Sequence, residues 1–554
     1  MSFIKEKVQV TCDQLKLIAN KKIGVLENIE YVEADGYKTD DIFPTDGWKP
    51  FPKGTFLNGR DAHFWLRTAF RTPAKKENVS YYVKCITGLE GLVDSTNPQG
   101  LIYLNGEMVQ GCDTNHTEIY VEPDTDYILH DYFYIGLLAS YVPLTFTLYE
   151  LDEKTEKLYY DMKVAYDSCI LNPAHTSEYI SVMTVLEQTA NLIDLRVPYS
   201  KEYYESIDKA LEFIHEELYV KLCSTEDKPI VSCIGHTHID IEWLWARAQT
   251  REKIQRSFAT ANTLMQKYPE YRFTLTQPEL YRYLKEDAPH KYAELKTLVE
   301  EGRWEPEGAM YVEADCNLIS GESLVRQLVE GKRFFKKEFD KDCKVLFLPD
   351  VFGYSAALPQ ILKKCDIDHF VTSKISWSET NMMPVDTFMW EGIDGTEIFT
   401  NFITTQKYIG TEYQNFTDYV GHLYPCEIKG TWNRFLQKEY SKLTMSSYGY
   451  GDGGGGPTKE MLETQRRLAY GLPGMPVTET SSLLSHLDRK FVEFKEGCKK
   501  TKRTPKWVGE LYLEMHRGTY TSIGKIKRDN RKAELGLQKA ETISYIDLLN
   551  GGFG

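Results

Sequence analysis

The 554-residue sequence predicts a multidomain α/β protein: a β-sandwich-like N-terminal domain, a central parallel sheet or (β/α) barrel, and the start of a C-terminal helical bundle. Three textures predict it. Up to residue 190, short alternating or aromatic runs (HFWLRTAF, VSYYVKCI, PLTFTLYEL) are separated by Asn-Gly, Pro and Gly signals, as in antiparallel sheets joined by tight turns. From residue 229, apolar runs alternate with amphipathic ones: PIVSCIGH with REKIQRSFATANTLMQKY, RFTLTQ with PELYRYLKED, KVLFLPD with SAALPQILKKC. That rhythm belongs to parallel strands covered by helices on both faces. Beyond 490, SSLLSHLDRKFVEFKEG runs into spacing that is helical almost throughout. The expected units are 1–190 (β-rich), 191–228 (a helical linker), 229–490 (the α/β unit) and 491–554 (an incomplete bundle).

Composition narrows the partners. A formal charge of −15 argues against nucleic acid, whose phosphates need a basic face; small neutral ligands suit the chain better. No apolar run reaches the length of a signal peptide or a membrane span. Eleven scattered cysteines without a CxxC pair read as free thiols of a reducing compartment. A cytoplasmic protein away from membranes is expected, and a homo-oligomer is compatible with this.

Ligands of such sheets sit at the carboxyl ends of the strands, where the sequence places its chemistry. GHTHID carries His236, His238 and Asp240 on alternate positions, which in a strand share one face; they are either hydrogen-bonded groups closing the strand or one edge of a divalent-metal site. LPDVFGYS puts Asp350 at the end of an apolar strand, with Phe352 behind it. YGYGDGGGGPTKE sets Asp452 between Gly451 and Gly453–Gly456, five glycines with no Gly-Lys-Ser/Thr after them, so a close-approach loop is expected there and not a phosphate loop. EMHRGTYTS adds His516 and Arg517. In the N-terminal unit, YLNGEMVQGCDTNHTEIYV reads as a hairpin about Asn105-Gly106 or as a sugar-binding surface.

Five strings, GHTHIDIEWLW, LPDVFGYSAALPQIL, TFMWEGIDGTEI, YGYGDGGGGPT and ELYLEMHRGTYTS, stand in the order found in the glycoside hydrolase family 38 α-mannosidases, and the sequence resembles the cytosolic and bacterial branch of that family. The resemblance implies a catalytic (β/α) barrel and one Zn2+, or Co2+ or another divalent ion in its place, held by His238, Asp240, Asp350 and His516. It implies that His236 supports the ligands from behind, that Asp350 is the nucleophile and Asp452 the general acid/base, and that Trp243 and Phe352 line the mannose site. The substrate would be an oligosaccharide or mannoside with a terminal α-linked mannose. Arg517 stands where the secretory branch has an aspartate, so that branch's substrate contacts do not transfer. Family members continue into large β-domains, and the chain is expected to end before them. Two other classes fit parts of the pattern: a metal-dependent amidohydrolase or deacetylase using His290, His369 or His422, and a carbohydrate-binding protein without activity.

Overall fold

The computed structural model describes residues 2–36, 43–88, 98–137, 140–378, 380–405 and 417–552. The chain opens on a helix, Ser2–Ala19, where only β structure was expected. Val8, Cys12, Leu15 and Ala19, spaced four, three and four apart, are all buried, the stripe of a helix packed on one face. Two antiparallel sheets follow. One orders Asn20–Val25, Thr145–Asp152, Val79–Ile86 and Glu118–Val121; the other orders Lys49–Pro50, Glu30–Ala34, Ala62–Arg71, Asp126–Ile135, Gln99–Leu104 and Glu107–Cys112. Leu66, Ile102 and Phe133 of the second sheet share one apolar cluster with Val83, Phe146 and Leu148 of the first. Asn105 and Gly106 both adopt positive φ (52° and 89°), the two-residue turn that joins Gln99–Leu104 to Glu107–Cys112.

The strands stop at Asp152, well before 190, because that side chain caps a helix, accepting from the Thr155 amide at 2.8 Å. Helices Glu153–Cys169, Ser177–Leu192 and Lys201–Ile214 then lead to the α/β region.

There the strand Ile230–His236 runs parallel to Leu443–Tyr448 on one side and to Phe273–Leu275 and Val477–Thr480 on the other, with Trp304–Pro306 beyond. A second sheet orders Val345–Phe347, His369–Thr372, Glu397–Phe402, Thr387–Glu391 and Lys506–Val508. Parallel bridges Gly308–Leu346 and Gly421–Tyr448 connect the edges of this region. The boundary expected at 490 falls inside a helix, Leu483–Thr501, whose N-terminal amides at Leu483 and Leu484 are bonded to Glu305 at 2.7 and 3.2 Å. The last helix, Gly524–Leu549, buries only Glu534, which accepts from the Ser320 amide and the Ser323 hydroxyl. Among the described residues no helix is long and apolar enough to cross a membrane.

The helix Arg247–Lys267 joins the two halves through polar groups. Glu252 lies 2.9 Å from the His63 imidazole, Lys253 donates to Gln99 at 3.0 Å, and Thr260 accepts from the Gly111 amide at 3.1 Å. These three contacts pair buried polar groups across the boundary, which offsets part of the cost of taking them out of water.

Candidate active site

The apolar strand Ile230–His236 stops at His236, and this decides how the three residues of His-Thr-His-Ile-Asp are used. His236 still obeys the strand: its Nδ1 lies 2.8 Å from the Thr274 carbonyl, its ring packs on Phe347, and burial pushes its pKa down to about 3. It is therefore neutral wall. His238 and Asp240 lie past the last ladder bond, so the alternation that would have put all three on one face no longer applies. They meet each other, with His238 Nε2 3.4 Å from Asp240 Oδ1.

Asp350 reaches the same point from the adjacent sheet, three residues after Val345–Phe347 ends, with Oδ2 3.6 Å from His238 Nε2. Asp452 arrives on the glycine loop after Leu443–Tyr448. It adopts φ 52°, Gly453 and Gly455 also have positive φ, and the Gly453 amide donates to the His238 carbonyl at 3.0 Å. One ligand atom from each of His238, Asp350 and Asp452 falls within 4.8 Å of the others, a group able to hold a metal ion.

Three residues of the site were not anticipated. Glu313, its side chain 4% exposed, lies 3.1 Å from His238 Nδ1. Lys374 Nζ lies 2.7 Å from Asp350 Oδ1 and 3.8 Å from the centre of the Trp377 ring. The Tyr419 hydroxyl donates to Asp452 Oδ1 at 2.9 Å. Glu313 and Lys374 follow the strands Trp304–Pro306 and His369–Thr372, so a charged residue past a strand end was the signal available for them. Tyr419 carried none.

The electrostatics follow from this crowding. Burial opposes a charge on His238, but Glu313 and then Asp240 outweigh it and raise its pKa well above the ordinary value. Burial also opposes the Asp240 carboxylate, which His238 nonetheless pulls down. Asp452 moves the other way: burial first, and then Asp350 and Asp240, raise its pKa against the pull of His238. One imidazole among several carboxylates, with one of them behind its far nitrogen, is a donor set suited to a divalent cation. The residues present fit that ion.

The remaining expected residues stand further out. His516 is exposed at φ 62°, its ring centroid 5.0 Å from that of Phe352 and 6.2 Å from that of Trp377. It lies outside the group that holds His238, Asp350 and Asp452, although burial and Lys374 lower its pKa while Asp350 raises it, so it senses the site. Trp243 is half exposed and edge-on to Trp245. Arg517 is directed at the Glu514 carbonyl and the Tyr512 hydroxyl. Of the amidohydrolase candidates, His290 is exposed on the helix Pro289–Glu300, His369 opens its strand beside Asp488, and His422 pairs with Glu427.

Residues 228–510 match the glycosyl hydrolases family 38 N-terminal domain, a span holding His238, Asp240, Asp350 and Asp452. The chain belongs to that family. Among similar proteins, Alpha-mannosidase G of Dictyostelium discoideum is 39% identical over 349 residues, covering 63% of this chain and 30% of that protein. Alpha-mannosidase 2C1 of Homo sapiens is 37% identical over 325 residues, covering 58% of this chain and 29% of that one. The chain thus matches less than a third of the length of these curated relatives. An alpha-mannosidase structure from Enterococcus faecalis V583 aligns with 51% of this chain and 31% of its own, at 19% identity and a TM-score of 0.41. His516 and Arg517 fall beyond the family 38 match, which ends at residue 510.

Proposed function

We propose that this family 38 chain hydrolyses terminal α-linked mannose from oligosaccharides or mannosides, with retention of configuration. The observation that carries the reading is the closeness of Asp350 and Asp452, whose ligand oxygens lie within 4.8 Å of each other. Retaining glycosidases hold their two carboxyl groups about 5–5.5 Å apart, whereas inverting ones leave about 6.5–9.5 Å for a water. The two environments differ as the two roles require. Asp350, oriented by Lys374, attacks the anomeric carbon and forms a glycosyl ester. Asp452, its pKa raised by burial, gives its proton to the departing oxygen as that bond breaks; it then takes a proton from the water that cleaves the ester. His238, Asp240, Asp350 and His516 would hold Zn2+, Co2+ or another divalent ion, which when bound supplies Lewis-acid templating of sugar hydroxyls. Glu313 fixes the His238 ring, and Trp243 and Phe352 offer apolar faces to the sugar.

This reading includes a (β/α) barrel made from the two parallel-stranded sheets and a β-sandwich made from the two antiparallel ones, the bridges at Gly308 and Gly421 closing the barrel. It also includes a cytoplasmic setting, supported by eleven cysteines that form no disulfide with one another. Proton NMR of the first-formed sugar from an aryl α-mannoside tests the mechanism. α-Mannose is expected first; β-mannose first would demote Asp350 from nucleophile.

A further inference from the structure

The glycine loop that carries Asp452 is held from two directions. On the α/β side, the Thr237 hydroxyl donates to the Tyr450 carbonyl at 2.9 Å and the Gly453 amide to the His238 carbonyl at 3.0 Å. Tyr450 and Gly456 exchange amide bonds of 3.0 Å each, closing the loop into a small hairpin with Asp452 in it. On the other side stands a residue from the loop between the strands Glu107–Cys112 and Glu118–Val121, some 340 positions earlier. His116 Nε2 lies 3.1 Å from both the Gly456 and the Pro457 carbonyls, while its Nδ1 lies 3.0 and 3.1 Å from the two oxygens of Asp113. Asp113 is itself fixed, accepting from the Asn115 and His116 amides at 2.7 and 2.8 Å. Both side chains are buried.

The ring has only acceptors around it, a carboxylate at one nitrogen and two carbonyls at the other. A carbonyl cannot donate, so the arrangement is satisfied by an imidazolium that donates from both nitrogens. Burial opposes charge on both partners, yet their pairing raises His116 and lowers Asp113. Gly455 shows how closely the two halves meet. A Cβ there would stand 2.9 Å from the His116 ring and 3.0 Å from Asp113, and its φ of 90° is open mainly to glycine.

We propose that Asp113 and His116 are positioning residues of the active site: an ion pair supplied by the N-terminal unit, outside the family-matched span, that clamps the base of the loop and so sets where Asp452 delivers its proton. This rests on the reading of Asp452 as proton donor. It makes the antiparallel sheets part of the catalytic apparatus and not a separate appendage.

The test uses the full chain and two substrates measured on the same preparation, with turnover expressed per active enzyme counted from the burst amplitude, so that any loss of folded protein is divided out. A mannobiose leaves as an alkoxide and needs the proton. A dinitrophenyl α-mannoside does not, and its glycosylation step is read from the burst of dinitrophenolate. His116→Gln is expected to lower turnover of the disaccharide about 10²-fold, the scale of a misplaced catalytic group, while the burst rate falls no more than about threefold, since that leaving group departs unaided. Asp113→Asn should fall between wild type and His116→Gln. Asp452→Ala, run alongside, sets the largest split. Should Asp452→Ala split the substrates while His116→Gln lowers both alike or neither, the positioning role is overturned and Asp452 keeps its assignment. Should Asp452→Ala fail to split them, the acid assignment and this inference fall together. If His116→Gln does not accumulate as folded protein, Gly455→Ala presses on the same contact from the loop side, and equal losses on both substrates in that variant overturn the proposal.

Discussion

His238 and His516 are two histidines expected to serve one ion, and the fold treats them differently. His238 is buried, with carboxylate oxygens 3.1, 3.4 and 3.6 Å from its ring nitrogens. His516 is exposed on a left-handed residue, against the edges of Phe352 and Trp377. The first follows directly on a seven-residue strand whose ladder to Leu443–Tyr448 is continuous. The second follows a segment tied down at Leu511, which exchanges amide bonds with Tyr354, and at Glu514, which accepts from Ser378 and the Thr380 amide. A ladder fixes every residue along it, whereas two anchors fix only themselves. The buried part of the proposed site is thus set by strand pairing, and the exposed part by separate hydrogen bonds, among them Tyr520 to the Phe352 carbonyl.

The largest effect expected from this contrast is on chemistry. Asp350→Ala should cost about 10⁴-fold or more in turnover of any mannoside, the scale seen when one member of a catalytic unit is removed. His516→Ala should cost less, about 10- to 100-fold, as for a group that tunes a metal site from its margin. Steady-state rates on an aryl α-mannoside compare them, and equal losses would erase the distinction between the two halves.

Metal content gives the next largest difference. His238→Ala is expected to leave no stoichiometric Zn2+ or Co2+ after dialysis, while His516→Ala retains a weakened site measurable by calorimetric titration. A His238→Ala protein that still holds one ion per chain would show that the centre lies elsewhere.

A third measurement looks at order directly. Adding Zn2+ to chelator-stripped protein should slow amide exchange across 512–521 more than across 230–236, because the latter is already held by strand pairing. Equal slowing would mean that the buried half, too, waits for the ion.

The smallest effect concerns the frame beneath the site. Glu307 sits beside the Gly308–Leu346 bridge, accepting from the Gly308 and Val345 amides, and burial followed by Glu305 raises its pKa to about 8. Its folded-state pKa lies above the ordinary 4.5, so the stability it contributes is present in full below about pH 4.5 and is lost as pH rises through about 8. Glu307→Gln imitates the protonated form. The melting temperature of the variant relative to wild type should therefore be lowest near pH 4.5 and rise toward pH 9; a difference flat across that range would mean Glu307 is charged in the fold.

Sequence alone determined the materials of the site. Apolar runs leading to His238 and Asp350, and an aspartate among glycines at 452, mark strand ends and a tight loop, because backbone periodicity and glycine conformation are local properties. It also marked the alternation of strands and helices from 229 onward. It did not determine which groups meet. His236 and His238 look equivalent in the chain, yet the ladder ends between them, so one ring lies against Thr274 and Phe347 while the other enters the site. Glu313, Lys374 and Tyr419 acquire partners only when separate segments come into register. The glycines at 453–456 suggested a ligand, but at Gly455 the close neighbour is His116 of the N-terminal unit. The helix Ser2–Ala19 had its stripe in plain view and was hidden by the β-rich texture after it. Local pattern sets what each segment can be; the distances between charges that give a carboxyl group its role are set only when long-range packing brings them together.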